Sequence, residues 1–94
     1  MKALLLENIH DEAHRILTER GFEVETRPKA LSPDELVEAL RGVHYLGIRS
    51  TTTVTDEVIA NAPDLRAIGA FCIGTNQIDL TAASRAGLPV FNAP

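Results

Sequence analysis

Two short stretches of this chain carry groups able to grip an anion, and each follows a run of apolar residues. The first is Arg49-Ser50-Thr51-Thr52, directly after Tyr45-Leu46-Gly47-Ile48. A guanidinium presents a planar fork of donors that matches a carboxylate or a phosphate. Ser50, Thr51, Thr52 and Thr53 add hydroxyls and backbone donors. The same stretch also reads as a solvated loop in which Arg49 pairs with Glu7. The second stretch is Ile73-Gly74-Thr75-Asn76, after Ala67-Ile68-Gly69-Ala70-Phe71-Cys72. Gly74 lets backbone N–H groups approach a ligand closely, as in an anion-binding concavity. It equally suits a tight strand-to-helix turn that needs glycine.

Other chemistry lacks its partners. Gly69 and Gly74 have P-loop spacing, but Thr75-Asn76 stands where Lys-Ser/Thr is required. No G-x-G-x-x-G occurs, so the dinucleotide fingerprint is missing. His10 and His14 could share a metal on one helix face. Asp11 follows the first where a zincin needs Glu, and no third ligand is in sight, so both read as solvated. His44 begins a strand and reads as structural. Cys72 has no adjacent base and ends a buried strand, which suits a small apolar residue. It is the single cysteine, which excludes an internal disulfide and a cysteine-based zinc site. No catalytic acid–base pair, triad or metal cluster is left. The residues alone describe a binder of a small anionic ligand that does no chemistry by itself.

The elements that must position these groups alternate regularly. Ala3-Leu4-Leu5-Leu6 is a continuous apolar run, as a strand buried on both faces should be. Ile9, Ala13, Ile16 and Leu17 follow at helical spacing, with Gly21 as the stop. Phe22, Val24 and Thr26 alternate with Glu23, Glu25 and Arg27, the pattern of a half-exposed edge strand. Ser32-Pro33-Asp34-Glu35 is a capping box with proline at the first helical position. Leu31 and Leu36 are placed as a staple across it, Leu36, Val37 and Leu40 face the core, and Gly42 ends the helix. Tyr45–Ile48 is the third strand. Thr55 caps a third helix that Pro63 ends, and Asp56 and Glu57 suit its dipole. Ala67–Phe71 is the fourth strand, Asp79 caps a helix running to Gly87, and Pro89-Val90-Phe91 is the fifth strand.

This order, β-α-β-α-β-α-β-α-β, predicts an α/β fold with a doubly wound parallel five-stranded sheet. Of the two standard strand orders, 2-1-3-4-5 is expected, because strand two alternates like an edge and strand one is uniformly apolar. Ligands sit at the carboxyl ends of strands in such sheets, which is where Arg49-Ser50 and Ile73–Asn76 fall. No closing helix follows strand five, so one face near strands four and five is expected to lack its cover.

Ninety-four residues make one domain, which buries roughly 64% of its unfolded surface. The apolar fraction of 45% and charged fraction of 23% are those of a globular protein, not a disordered one. The net charge of −4 repels phosphate backbones, and no tryptophan is present to stack on bases, so no nucleic-acid partner is expected. No apolar run approaches the ~20 residues of a membrane span. The apolar stretch behind Lys2 is too short for a signal peptide, and a cytoplasmic location is expected.

Three stretches resemble the NAD-dependent D-2-hydroxyacid dehydrogenase family. They are Leu46-Gly47-Ile48-Arg49-Ser50, the run from Ala67 through Cys72-Ile73-Gly74-Thr75-Asn76-Gln77 to Leu80, and Gly87-Leu88-Pro89-Val90-Phe91-Asn92-Ala93-Pro94. The likeness covers the whole chain, and the run from Cys72 to Gln77 resembles those members that oxidise 3-phosphoglycerate. The family has a discontinuous substrate-binding domain of flavodoxin-like topology. Its nucleotide-binding domain is inserted after the segment matching Asn92-Ala93-Pro94, and the C-terminal part returns to complete the first domain.

The resemblance implies that residues 1–94 are a partial substrate-binding domain, lacking both the returning segment and the nucleotide-binding domain. It implies that Arg49 and Ser50 help hold a small anionic substrate, 3-phosphoglycerate or similar. The backbone at Ile73 and Gly74 would meet its carboxylate, and Asn76 would orient that loop. Members often have a basic residue two after the arginine, where Thr51 stands here, which throws more of the phosphate onto Arg49 or onto residues from elsewhere. NAD is the cofactor of the parent enzyme, and none is expected on this chain. The catalytic Arg, Glu and His of the family lie beyond Pro94, so the chain alone is expected to be inactive. Its expected partners are the substrate, the rest of the parent chain and a second copy in a homodimer. The alternative is a non-catalytic flavodoxin-like binding or regulatory module. A receiver of that kind wants an Asp ending strand three, where Arg49 stands; a corepressor-like scaffold of the same family is the other form.

Overall fold

The computed structural model describes residues 1–9, 11–72 and 74–92. Five strands and four helices alternate: β1 (Lys2–Leu5), α1 (Asp11–Glu19), β2 (Glu23–Thr26), α2 (Pro33–Ala39), β3 (Tyr45–Ile48), α3 (Asp56–Ala60), β4 (Ala67–Ala70), α4 (Leu80–Arg85) and β5 (Val90–Asn92). All strand pairs are parallel, in the order β2-β1-β3-β4-β5. The expected order holds, with β2 at one edge.

Local chemistry accounts for the helix starts. The Ser32 hydroxyl accepts from the Glu35 N–H, and the Glu35 carboxylate accepts from the Ser32 N–H in return. Thr55 and Asp79 accept from the N–H groups of Val58 and Ala82. Each cap contributes about 1 kcal/mol. Gly42 and Gly87 lie just beyond α2 and α4 at φ 71° and 69°, a left-handed backbone that glycine adopts without strain.

One sheet face is covered by α2, α3 and α4. Leu36, Leu40, Val58 and Ala83 bury there against Leu4, Leu6, Leu46, Ile48, Ile68 and Ala70. Right-handed crossovers put α1 on the other face, because the connection from β1 to β2 runs in the opposite direction. There α1 packs along β2, and none of its described residues is fully buried. The alternation expected in β2 breaks at Thr26, which is exposed at the sheet edge. Further along this face Gly47 and Gly69 are buried under side chains of neighbouring residues. A Cβ at Gly69 would strike Tyr45, and one at Gly47 would strike Leu5. Phe91, on the edge strand, is 58% exposed.

A candidate anion-binding cleft at the ends of β3 and β4

The loops after β3 and β4 leave the sheet side by side and are joined to each other. Val54 bridges to Ile78 in parallel register, with the Val54 N–H donating to the Gln77 carbonyl at 2.8 Å and the Asp79 N–H donating to the Val54 carbonyl at 2.9 Å. Between the loops lies an open cleft of about 710 Å³ lined by Arg49, Ser50, Phe71, Cys72, Gly74, Asn76 and Gln77. Four residues picked out from the sequence, Arg49, Ser50, Gly74 and Asn76, thus share one cavity. Ile73 and His10 lie outside the described residues.

Glu7 governs the β3 side of the cleft. Its carboxylate accepts the backbone N–H of Arg49 at 2.8 Å, of Thr51 at 2.8 Å and of Thr52 at 3.0 Å. Burial pushes this carboxyl up, but the N–H donors of Thr51, Arg49 and Thr52 outweigh it, and Glu7 titrates below its ordinary value of 4.5. The Thr52 hydroxyl adds to the lowering, although it is buried with no hydrogen bond of good geometry among the described residues. Glu7 therefore binds the loop backbone rather than the arginine side chain. Among the described residues, no carboxylate pairs with the Arg49 guanidinium.

On the β4 side the connectors are amides. The Gln77 side chain donates to the Arg49 carbonyl at 2.8 Å and to the Cys72 sulfur at 3.2 Å. The Cys72 thiol donates to the Gly74 carbonyl at 2.9 Å, and the Asn92 side chain on β5 donates to the Cys72 carbonyl. Cys72 is half-buried against the core, so its apolar role is joined by a polar one. Asn76 lines the cleft, but among the described residues its side chain makes no hydrogen bond. The side-chain bonds shown for this stretch are those of Gln77. A Cβ at Gly74 would meet nothing within 4 Å, so the space over it is open.

Sequence reasoning passed over Glu7 and Gln77 as site residues. A signal for Glu7 exists: Leu5 pairs with Gly47, and two residues further along both strands Glu7 comes beside Arg49. Gln77 reaches a carbonyl 28 residues away, which nothing in its local pattern indicates.

The cleft with Arg49, Ser50, Gly74 and Asn76 on its walls opens at the strand ends of a five-stranded parallel sheet, and known proteins share both sequence and fold. The D-3-phosphoglycerate dehydrogenase of Dictyostelium discoideum is 49% identical over 94 residues, which is all of this chain and 23% of that protein. The D-3-phosphoglycerate dehydrogenase of Haemophilus influenzae is 50% identical over 95 residues, again all of this chain and 23% of that protein. The chain thus spans under a quarter of the length of these curated relatives. A crystal structure of the TT0316 protein from Thermus thermophilus superposes with a TM-score of 0.87 at 31% identity, over 96% of this chain and 29% of that one. The family model for the catalytic domain of D-isomer specific 2-hydroxyacid dehydrogenases matches residues 3–94, and the chain belongs to that family.

Proposed function

We propose that these residues form part of the substrate-binding domain of a D-3-phosphoglycerate dehydrogenase. In this reading the whole enzyme oxidises 3-phosphoglycerate to 3-phosphohydroxypyruvate with NAD, the entry step of serine biosynthesis. The observation that carries it is the Arg49 guanidinium, without a carboxylate partner among the described residues, on the wall of a cleft it shares with Ser50, Gly74 and Asn76. Arg49 supplies a charged fork for the anionic end of the substrate, and Ser50 adds a hydroxyl. The backbone at Ile73 and Gly74 is assigned to the substrate carboxylate.

NAD would supply the hydride acceptor, but this chain does not fit it. A dinucleotide needs a glycine-rich turn between strand and helix, and no G-x-G-x-x-G occurs in the 94 residues. At the first strand-to-helix turn stands Glu7, whose lowered titration keeps it ionised and repels a pyrophosphate. The task assigned to these residues is therefore to hold and orient the substrate. The open edge of β5 and exposed Phe91 support pairing of two copies as well.

The test uses the full dehydrogenase containing this sequence. Arg49→Ala should raise the KM for 3-phosphoglycerate about 10- to 100-fold, the worth of one or two charged hydrogen bonds, and lower kcat less. The 94-residue chain alone should form no NADH from NAD and 3-phosphoglycerate. An unchanged KM removes Arg49 from the site, and turnover by the isolated chain overturns the assignment.

A further inference from the structure

We propose that Glu7 is a positioning residue for the anion site: by capturing the backbone N–H groups of Arg49, Thr51 and Thr52, it sets the loop after β3 and leaves the Arg49 guanidinium and Ser50 hydroxyl for the ligand. This role rests on the substrate-binding reading of the same cleft.

Three observations carry it. First, one carboxylate takes three donors from a single loop 42 to 45 residues away in sequence, all within 3.0 Å. N–H groups of one loop converging in this way form an anion-binding concavity, and here the protein's own anion fills it. Second, Glu7 and Asn8 lie at φ 63° and 56°, two consecutive non-glycine residues in the left-handed region. Such conformations persist only where the surroundings over-determine them, and they gather at functional sites. The turn aims Glu7 at the loop instead of letting the chain run straight into α1. Third, a carboxylate beside an arginine would ordinarily take the guanidinium, yet the Glu7 oxygens are committed to the backbone. The positive charge is left on the cleft wall.

This arrangement has a consequence for selectivity. With the N–H groups of Arg49, Thr51 and Thr52 occupied by Glu7, those three donors are closed to an incoming anion. An anion reaching for those groups also meets the Glu7 charge. Binding is thereby directed outward, onto side chains that face the cleft.

The experiment compares Glu7→Gly and Glu7→Gln in the full dehydrogenase. Glycine suits the left-handed backbone and empties the cradle. Glutamine keeps the volume but turns one acceptor into a donor facing the loop N–H groups. Both variants should raise the KM for 3-phosphoglycerate about tenfold with kcat nearly unchanged, as expected when ground-state binding alone is lost. Added acetate should lower the KM of Glu7→Gly toward the wild-type value, because its carboxylate refills the emptied cradle. It should not rescue Glu7→Gln, where the amide occupies the space. A lower Tm with KM unchanged in both variants would make Glu7 a staple of the fold and overturn the proposal, as would a raised KM in Glu7→Gly that acetate leaves unaltered. Wild-type enzyme inactive on 3-phosphoglycerate would overturn the substrate reading alone. The positioning role is then read by hydrogen exchange: acetate should slow exchange across residues 49–52 in Glu7→Gly, and no slowing overturns it.

Discussion

The Gln77 side-chain amide donates to the Arg49 carbonyl at 2.8 Å, tying the loop after β4 to the loop after β3, and both residues line the cleft. Its own backbone carbonyl accepts from Val54, so Gln77 holds the same loop at two points. Gln77→Ala removes the side-chain bonds and should cost about 1 kcal/mol, since Arg49 is exposed and water can replace the lost donor. Gln77→Glu should cost more, because it sets a carboxylate oxygen against the Arg49 carbonyl. Urea melts of the two variants check the order. Equal stability in both would show that the bridge between Val54 and Ile78 is sufficient.

What was legible in the sequence follows from how local each signal is. Ser32, Thr55 and Asp79 mark helix starts through bonds that span three residues, and all three caps form. The strand order could be read because burial on both faces leaves β1 apolar from Ala3 onward while the β2 edge carries Glu23 and Glu25. Arg49 and Ser50 fall in the cleft because strand ends of such sheets converge there. The roles of Glu7 and Gln77 depend on which of two nearby groups, a guanidinium or a backbone N–H, a side chain meets after folding. Spacing could put Glu7 near Arg49, but not choose between them.

Gly69 is required by its neighbour rather than by its backbone. A Cβ there would run into the Tyr45 hydroxyl and ring. Gly69→Ala should cost about 1–3 kcal/mol, the usual penalty of overpacking. In a Tyr45→Phe background the nearest obstructing atom is gone, and the penalty should shrink. A double-mutant cycle in urea measures the difference; equal penalties in both backgrounds would show that Tyr45 swings aside freely.

Among the described residues, Glu7, Glu25 and Glu35 titrate below their ordinary value. Burial raises Glu7, but the Thr51, Arg49 and Thr52 N–H groups more than offset it. Glu25 is lowered first by the hydrogen bond from Arg27, and Glu35 by the Ser32 N–H. A depressed folded pKa means that the stabilisation is complete above the unfolded value and is lost as pH falls through the folded one. Stability should therefore hold steady from neutral pH down to the ordinary carboxylate value of 4.5 and decline below it. Glu7→Gln should flatten that acid limb. Tm measured against pH decides; parallel acid limbs in wild type and variant would remove Glu7 from the linkage.

The last expectation concerns association of the isolated chain, and it turns on one row across the sheet. Leu5, Gly47, Gly69 and Phe91 stand side by side in register on the face opposite α2, α3 and α4. Over the glycines the face is roofed, because Tyr45 lies against Gly69 and Phe71 lies near the Cβ positions of both Gly47 and Gly69. The roof stops at β5, where Phe91 is 58% exposed. β5 is also a sheet edge, so its outer backbone groups are unpaired within the sheet, with Pro89 before it as the one blunting residue. An exposed aromatic beside an open edge favours pairing with a second copy, most simply about a two-fold axis that brings the two Phe91 rings together. A phenylalanine contact buries about 150–250 Å² per side, far less than the roughly 1,200 Å² of a stable interface. The dimer should therefore be weak, present at high micromolar concentration and lost on dilution. Phe91→Ser should abolish it without lowering Tm, because the ring contributes little to the core. Light scattering across a dilution series measures this. A monomer at every concentration, binding no apolar dye, would show that the Tyr45 and Phe71 roof closes the face by itself.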